Sequence, residues 1–452
     1  MDLIYGIKDK PKVGKVILFA LQQLLAIMAA TIAVPAVVGH ELSASAALFG
    51  AGIGSIVYLL FTKSSSPVFL GSSFAFLPSM FSAFAGATTL GLSEQVGYWG
   101  LIIGALMAGL VYVILAIVVK FCGVNWISKL MPPVIIGPTV AIIGLSLSSN
   151  AVGDLMKTNI EGGSPYICIV CGLVTLAVTM LCATYGKKMG KLIPFIIGIL
   201  AGYLCASFFA LIGRATNSSE LTVINYSALK NCGFFALPNF TFLLGGGAGI
   251  KAVTGKYLIA IFAAYVPVAF VVFAEHLADH KNLSSIVGQD LLENPGLTRT
   301  LLGDGVGSIA GAFFGGCPNT TYGESIACVA ITRNASTVSI WGCAIACIIF
   351  SMLSPLVAFL ETIPSCVMGG VCIALYGFIA VSGFKIFQTV DLNKNRNLFV
   401  ASIIFITGVG GMVVSFGAVE IRTVACALIL GILTNVMLSK EKDEVAEEAK
   451  AE

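Results

Sequence analysis

Runs of about twenty apolar residues recur along the whole chain, and they leave it one class of fold. Twenty apolar residues in a helix span the hydrocarbon of a bilayer. Such runs fall at about 14–39, 44–62, 97–120, 134–150, 165–185, 190–213, 256–280, 301–316, 337–360, 364–384, 397–414 and 422–438. Two further segments, about 67–80 and 318–331, are apolar or uncharged but too short and too broken to be plain spans. Of the 452 residues 58% are hydrophobic and only 10% are charged, where soluble proteins carry about 25% charge. The expectation is an all-α polytopic membrane protein with fourteen crossings if both short segments count. The polar, basic start MDLIYGIKDKPKVGK runs straight into the first span and is read as no cleavable signal. A net charge of +3 gives no reason to expect a nucleic-acid partner. The thirteen cysteines sit mostly in apolar runs and are expected to pack as small hydrophobes rather than to bind metal or form disulfides.

Charge sets the orientation. With the N-terminus inside, the inner loops hold Lys63, Lys120, Lys129, Lys187, Lys188, Lys191, Lys281, Arg299, Arg333, Lys385, Lys394 and Arg396. The outer loops hold Lys157, Arg214, Lys230, Lys251 and Lys256, with Arg422 at a boundary. This is the positive-inside bias, and it requires both short segments to cross. The interval 214–255 reads as a long outer linker and 439–452 as a charged cytoplasmic tail.

The halves echo each other. Gly71-Ser72-Ser73-Phe74-Ala75 matches Gly323-Glu324-Ser325-Ile326-Ala327, and Gln22-Gln23-Leu24 stands where Glu275-His276-Leu277 stands, each about 250 residues apart. Pro132 with Gly137 matches Pro364 with Gly369 at a shorter offset. A duplicated seven-span unit inserts its second copy upside down, which makes a 7+7 inverted repeat. Transporters of that plan bind at mid-membrane, where short, interrupted segments of the two halves meet.

The ionisable residues gather there. Glu275, His276, Asp279 and His280 arrive within six residues at the end of an apolar helix. Glu275 and Asp279 are i and i+4 and share a face; the histidines share a neighbouring one. Ionisable groups at membrane depth face polar cavities and mark substrate or proton paths. In the partner segment, Thr320-Thr321-Tyr322 favours extended chain, Gly323 allows a sharp turn, and Glu324 opens a helix. Val68–Phe76 has the same plan, with a helix from about Ser72. Acceptor carboxylates, free helix N–H groups and the rings of Phe74 and Tyr322 suit a flat heterocycle with N–H and C=O edges, such as a nucleobase. They suit a bare anion poorly. Ser, His and Asp are all present, but no G-x-S-x-G or H-E-x-x-H motif occurs, so an enzyme is not expected.

Ala274-Glu275-His276, Pro318-Asn319-Thr320-Thr321-Tyr322-Gly323-Glu324-Ser325, Ala330-Ile331-Thr332-Arg333 and Gly71-Ser72-Ser73-Phe74-Ala75-Phe76 resemble the nucleobase–ascorbate transporter family, also called nucleobase:cation symporter 2, and within it the bacterial uracil permeases. The likeness runs from the first span to about residue 438. It implies core parts at 1–133 and 256–360, gate parts at 134–213 and 361–438, short antiparallel strands in segments 3 and 10, and a homodimer in the cytoplasmic membrane with both termini inside. It implies that Glu275 and Glu324 hydrogen-bond the base, that Phe74 faces it, that Gly323 offers a backbone contact and Tyr322 a wall, and that Ala30 and Tyr376 complete the pocket. Asn319, Ser73 and Gln23 match signature positions that support the site.

One departure matters for substrate. Uracil permeases tend to have His four residues after the first glutamate, whereas here Asp279 stands there, as in xanthine- and urate-type members. Xanthine or another purine therefore stays open beside uracil. No cofactor or metal is expected. The coupling ion implied is H⁺, with Glu275, Asp279 and His276 as candidate carriers: burial and a neighbouring like charge both favour the neutral form of a carboxyl. Na⁺ is the rival.

Overall fold

The computed structural model describes residues 3–123, 126, 131–187, 189–230, 233–416, 419–421 and 423–439. Lys129, Lys188, Arg422 and the tail from 440 onward lie outside the described residues.

Short helical turns aside, the helices are α1 (Val13–Val38), α2 (Ala44–Phe61), α3 (Leu77–Thr89), α4 (Glu94–Cys122), α5 (Pro133–Ser146), α6 (Ser148–Met156), α7 (Pro165–Tyr185), α8 (Pro194–Thr216), α9 (Thr241–Lys251), α10 (Gly255–Val287), α11 (Leu297–Gly315), α12 (Gly323–Thr332), α13 (Thr337–Ser351), α14 (Ser354–Glu361), α15 (Ser365–Phe387), α16 (Asn395–Val409) and α17 (Thr423–Met437). Two strand pairs complete it, β1 (Leu70–Ser72) with β2 (Asn319–Thr321), and β3 (Val414–Phe416) with β4 (Val419–Ile421). Among the described residues eight helical stretches are long and apolar enough to cross a membrane. The chain is a mainly helical, multi-pass membrane protein.

Local sequence explains many ends. Prolines 133, 165 and 194 stand in first turns, where a missing N–H costs nothing. Thr254 caps α10 by accepting from Tyr257 N at 3.3 Å.

The helices pack in two groups. One holds α1–α4 and α10–α13; the other holds α5–α8 and α15–α17. In the first, α2 lies against α11 backbone to backbone: a Cβ on Gly50 would sit 2.5 Å from the Gly311 carbonyl oxygen. Such contact is how membrane helices gain packing without a hydrophobic drive.

β1 and β2 pair antiparallel, Leu70 with Thr321 and Ser72 with Asn319. Non-helical backbone at membrane depth must be satisfied by protein. Here Ser55 Oγ donates to Leu70 O at 3.1 Å and accepts from Leu70 N at 2.9 Å. Asn319 Nδ2 donates to Gly50 O at 3.1 Å.

Three expectations change in detail. The first half-helix does not start at Ser72: that residue is in the ladder, and Ser73 N donates to Pro318 O at 2.8 Å. The chain stays extended until a 3₁₀ turn at Phe74–Phe76 leads into α3. The run 337–360 is two helices, parted at Met352-Leu353. Residues 234–236 satisfy the break, with Ser354 N on Phe234 O and Ala236 N on Met352 O, both at 3.1 Å. The interval 214–255 is not all linker, because α9 lies on α4. Its Gly245 and Gly249 leave no room for a Cβ beside Trp99 and Gln95, and Trp99 Nε1 donates to Gly246 O at 2.8 Å.

Candidate functional site

A cavity of about 390 Å³ lies between the two helix groups. Its polar end is built from α10, β2 and α12. Glu275 and Asp279, one turn apart, both line it, and Glu324 lines it from the first turn of α12. All three carboxylates are half-buried. Thr321 Oγ1 donates to Asp279 Oδ2 at 2.7 Å and so ties α10 to β2. The first N–H groups of α12 have no partner within the helix. Gly323 is exposed, and a Cβ there would meet nothing within 4 Å.

Phe74 and Tyr322 form walls. Phe74 meets Tyr376 edge to face, with ring centroids 5.7 Å apart. Tyr322 OH donates to Ser72 O at 2.7 Å, which locks its ring over Gly71, where a Cβ would collide with it. Ser73 also lines the cavity.

The other expected residues serve from behind. Gln23 of α1 donates from Nε2 to Ser325 O at 3.2 Å and to Ser325 Oγ; that Oγ accepts from Phe69 N at 3.0 Å. One glutamine thus joins α1, α12 and the approach to β1. Asn319 holds β2 to α2, as above. Ala30 is buried off the lining, which Ala26 reaches one turn earlier. Tyr376 is buried behind Phe74.

His276 is turned away from the cavity. It is fully buried, with Nδ1 2.6 Å from Asp304 Oδ2 and Nε2 3.0 Å from Thr300 Oγ1, both on α11. Its ring stacks on His280 at 4.1 Å, and His280 Nε2 lies 2.7 Å from Tyr58 OH. These contacts pin α10 to α2 and α11.

Sequence reasoning passed over Asp304. The signal was present: it is the one carboxylate in the expected span 301–316, and intramembrane carboxylates are expected to have named partners. It also passed over Lys191 as a cavity residue; Lys191 is the only Lys or Arg among the described lining residues. It lies at the exposed end, where α12 and α15 finish and α8 begins.

A bundle of membrane helices, a strand crossing inside it and a carboxylate-lined cavity between two helix groups have the form of a membrane transporter. The chain belongs to the Permease family, whose model matches residues 14–416. It is 37% identical over 450 residues to the uracil permease of Bacillus subtilis (strain 168), covering 98% of this chain and 97% of that one. It is 36% identical over 430 residues to the uracil permease of Escherichia coli (strain K12), covering 94% and 92%. In fold it is similar to the transmembrane domain of a cyanobacterium bicarbonate transporter, BicA, with a TM-score of 0.62 at 13% identity over 95% of this chain and all of that one. It is also similar to SLC26A9, at 0.65 and 11% identity over 95% and 66%.

Proposed function

We propose that the chain is a proton-coupled symporter that imports uracil across the cytoplasmic membrane by alternating access. The observation that carries this is the meeting of Glu275, Asp279 and Glu324 in one cavity beside the paired strands. Carboxylates accept from ring N–H groups, and the open first turn of α12 offers donors to a ring carbonyl. The nearly full-length similarity to proteins named uracil permeases supports the substrate.

A cavity edged by three carboxylates takes a neutral base best when a proton comes with it, because like charges in a poorly solvated site repel. In this reading Glu275 binds proton and base together and releases both inside. Thr321 holds Asp279 in place, which leaves Glu275 the freer of the two. His276, locked on Asp304, serves the scaffold instead.

The first helix group is then the core and the second the gate, within fourteen segments of a 7+7 inverted repeat. The like plans of β1 with the turn at Phe74 and of β2 with α12 support the repeat. The cavity opens beside Lys191, so with the positive end inside it faces the cytoplasm. Homodimers are the assembly the resemblance implies. Asp279 on the cavity wall is the observation that favours the second reading, a purine such as xanthine.

The test is uptake of labelled uracil into proteoliposomes under an inward proton gradient, with excess xanthine as competitor. Gradient-driven uptake that ignores xanthine supports the reading. Xanthine blocking uptake while uracil moves poorly would transfer it to purines. Uptake that follows Na⁺ and ignores the proton gradient would overturn the coupling.

A further inference from the structure

The cavity has a second region that a single-ring base leaves empty. Its 390 Å³ falls in the range of sites that enclose drug-sized ligands. The carboxylates crowd one end. From there to the opening, the lining on the gate side is apolar but for Ser382 on α15, from Val140 on α5, Phe195 on α8 and Phe378 and Ile379 on α15. Phe195 and Phe378 stand edge to face with centroids 5.9 Å apart. At the mouth the exposed Lys191 is in no ion pair among the described residues. The polarity along the cavity is therefore acid, then apolar, then cation.

We propose that this vestibule is an inhibitory subsite for a single-ring nucleobase bearing an apolar arm that ends in a carboxylate, and that it is filled from the cytoplasmic side. The inference rests on the nucleobase reading above. With the base between Glu275 and Glu324, a terminal carboxylate can run only one way. The acid-lined end leaves no cation to receive it, and Lys191 attracts it at the open one. The arm lies along the Phe195–Phe378 wall, where burial of its methylenes favours binding. It then spans the gap between α12 on one helix group and α15 on the other. A ligand wedged there holds the groups apart, so it binds and is not carried.

The probe is uracil with a pentanoic-acid arm on either ring carbon that bears hydrogen, with the terminal amide as its neutral twin. Labelled-uracil transport is measured in right-side-out and everted membrane vesicles. In everted vesicles the acid is expected to compete with uracil about fivefold better than the amide, the upper weight of a partly exposed ion pair. Lys191→Gln is expected to bring that acid-to-amide ratio to about one, a ratio taken within each variant and so independent of expression. Phe378→Ala is expected to weaken acid and amide alike. The labelled acid is not expected to accumulate. Equal inhibition from both faces, no inhibition, accumulation of the acid, or a ratio that survives Lys191→Gln would each overturn the proposal. If neither uracil nor xanthine is carried, the nucleobase reading fails instead.

Discussion

Replacing His276 by Leu should destabilise the protein more than the loss of an average neutral hydrogen bond between its helices. His276 and Asp304 are 0% and 1% exposed, and 2.6 Å separates Nδ1 from Oδ2. Apart from His276, the Thr320 hydroxyl is the side chain that reaches the Asp304 carboxyl, and only loosely. Removing the imidazole therefore leaves a buried carboxyl without its close partner. Neutral hydrogen bonds between membrane helices average about 0.6 kcal/mol in double-mutant cycles, with a maximum near 1.7. Leaving a buried polar group without its partner costs about 1–3 kcal/mol. The full enclosure places this pair with the latter. The cycle is His276→Leu, Asp304→Leu and the double variant, each unfolded by denaturant in detergent and followed by tryptophan fluorescence. The expected coupling exceeds about 1 kcal/mol, and the double variant should be more stable than either single one. A coupling of about 0.6 kcal/mol or less would refute the argument and return His276 to the list of groups free to carry protons.

Other expectations follow from the site. Glu275→Gln should still bind uracil to within about 1 kcal/mol, since an amide keeps one acceptor, yet lose gradient-driven accumulation; binding and uptake on the same proteoliposomes separate the two. Thr321→Val removes the donor to Asp279 and should cost about 1.5–3 kcal/mol of stability if that carboxyl is charged, read by thermal unfolding. Asn319→Ala leaves Gly50 O without its side-chain donor and should cost about 1–3 kcal/mol, with a fall in uptake because β2 loses its anchor. Gly311→Val drives a branched side chain into Asn319, the residue that holds β2 to α2, and should abolish assembly, seen as loss of the folded peak in size-exclusion chromatography.

Much of the fold was legible because hydropathy has one physical meaning in a bilayer. The long runs became α1, α2, α4, α7, α8 and α15 within a few residues, and α10 runs on past its expected end to Val287. Thr320-Thr321 and Gly71 marked the strand crossing because β-branched residues and glycine punctuate a helical chain. Less legible was anything set by a distant neighbour. The late start of the helix after β1 depends on Pro318, some 245 residues further along. The glycines of α9 looked like loop, and only the face of α4 shows that they are a contact. Glu275, Asp279 and Glu324 could be picked out as costly charges. That His276 faces α11 and not the cavity needed Asp304, which lies 28 residues away on another helix.

The chemistry of the two cavity walls bears on how a site like this can move. Every hydrogen bond described for β1, β2 and α12 ends within the first helix group: Asn319 on Gly50, Ser55 on Leu70, Gln23 on Ser325, Thr321 on Asp279, Tyr322 on Ser72. Directional bonds of this kind fix the carboxylates relative to one another. The second group meets the same cavity mainly through Val140, Ile143, Phe195, Leu375, Phe378 and Ile379. Apolar contacts are non-directional, so one such surface can slide over another without leaving a buried donor or acceptor unpaired, as a moving hydrogen bond would. A site built rigidly on one side and faced by apolar side chains on the other can change its access while keeping its geometry. That asymmetry is the reason to expect the carboxylates to travel as a unit with the first group, and to expect substitutions at Phe195 or Phe378 to change transport rate more than affinity for uracil.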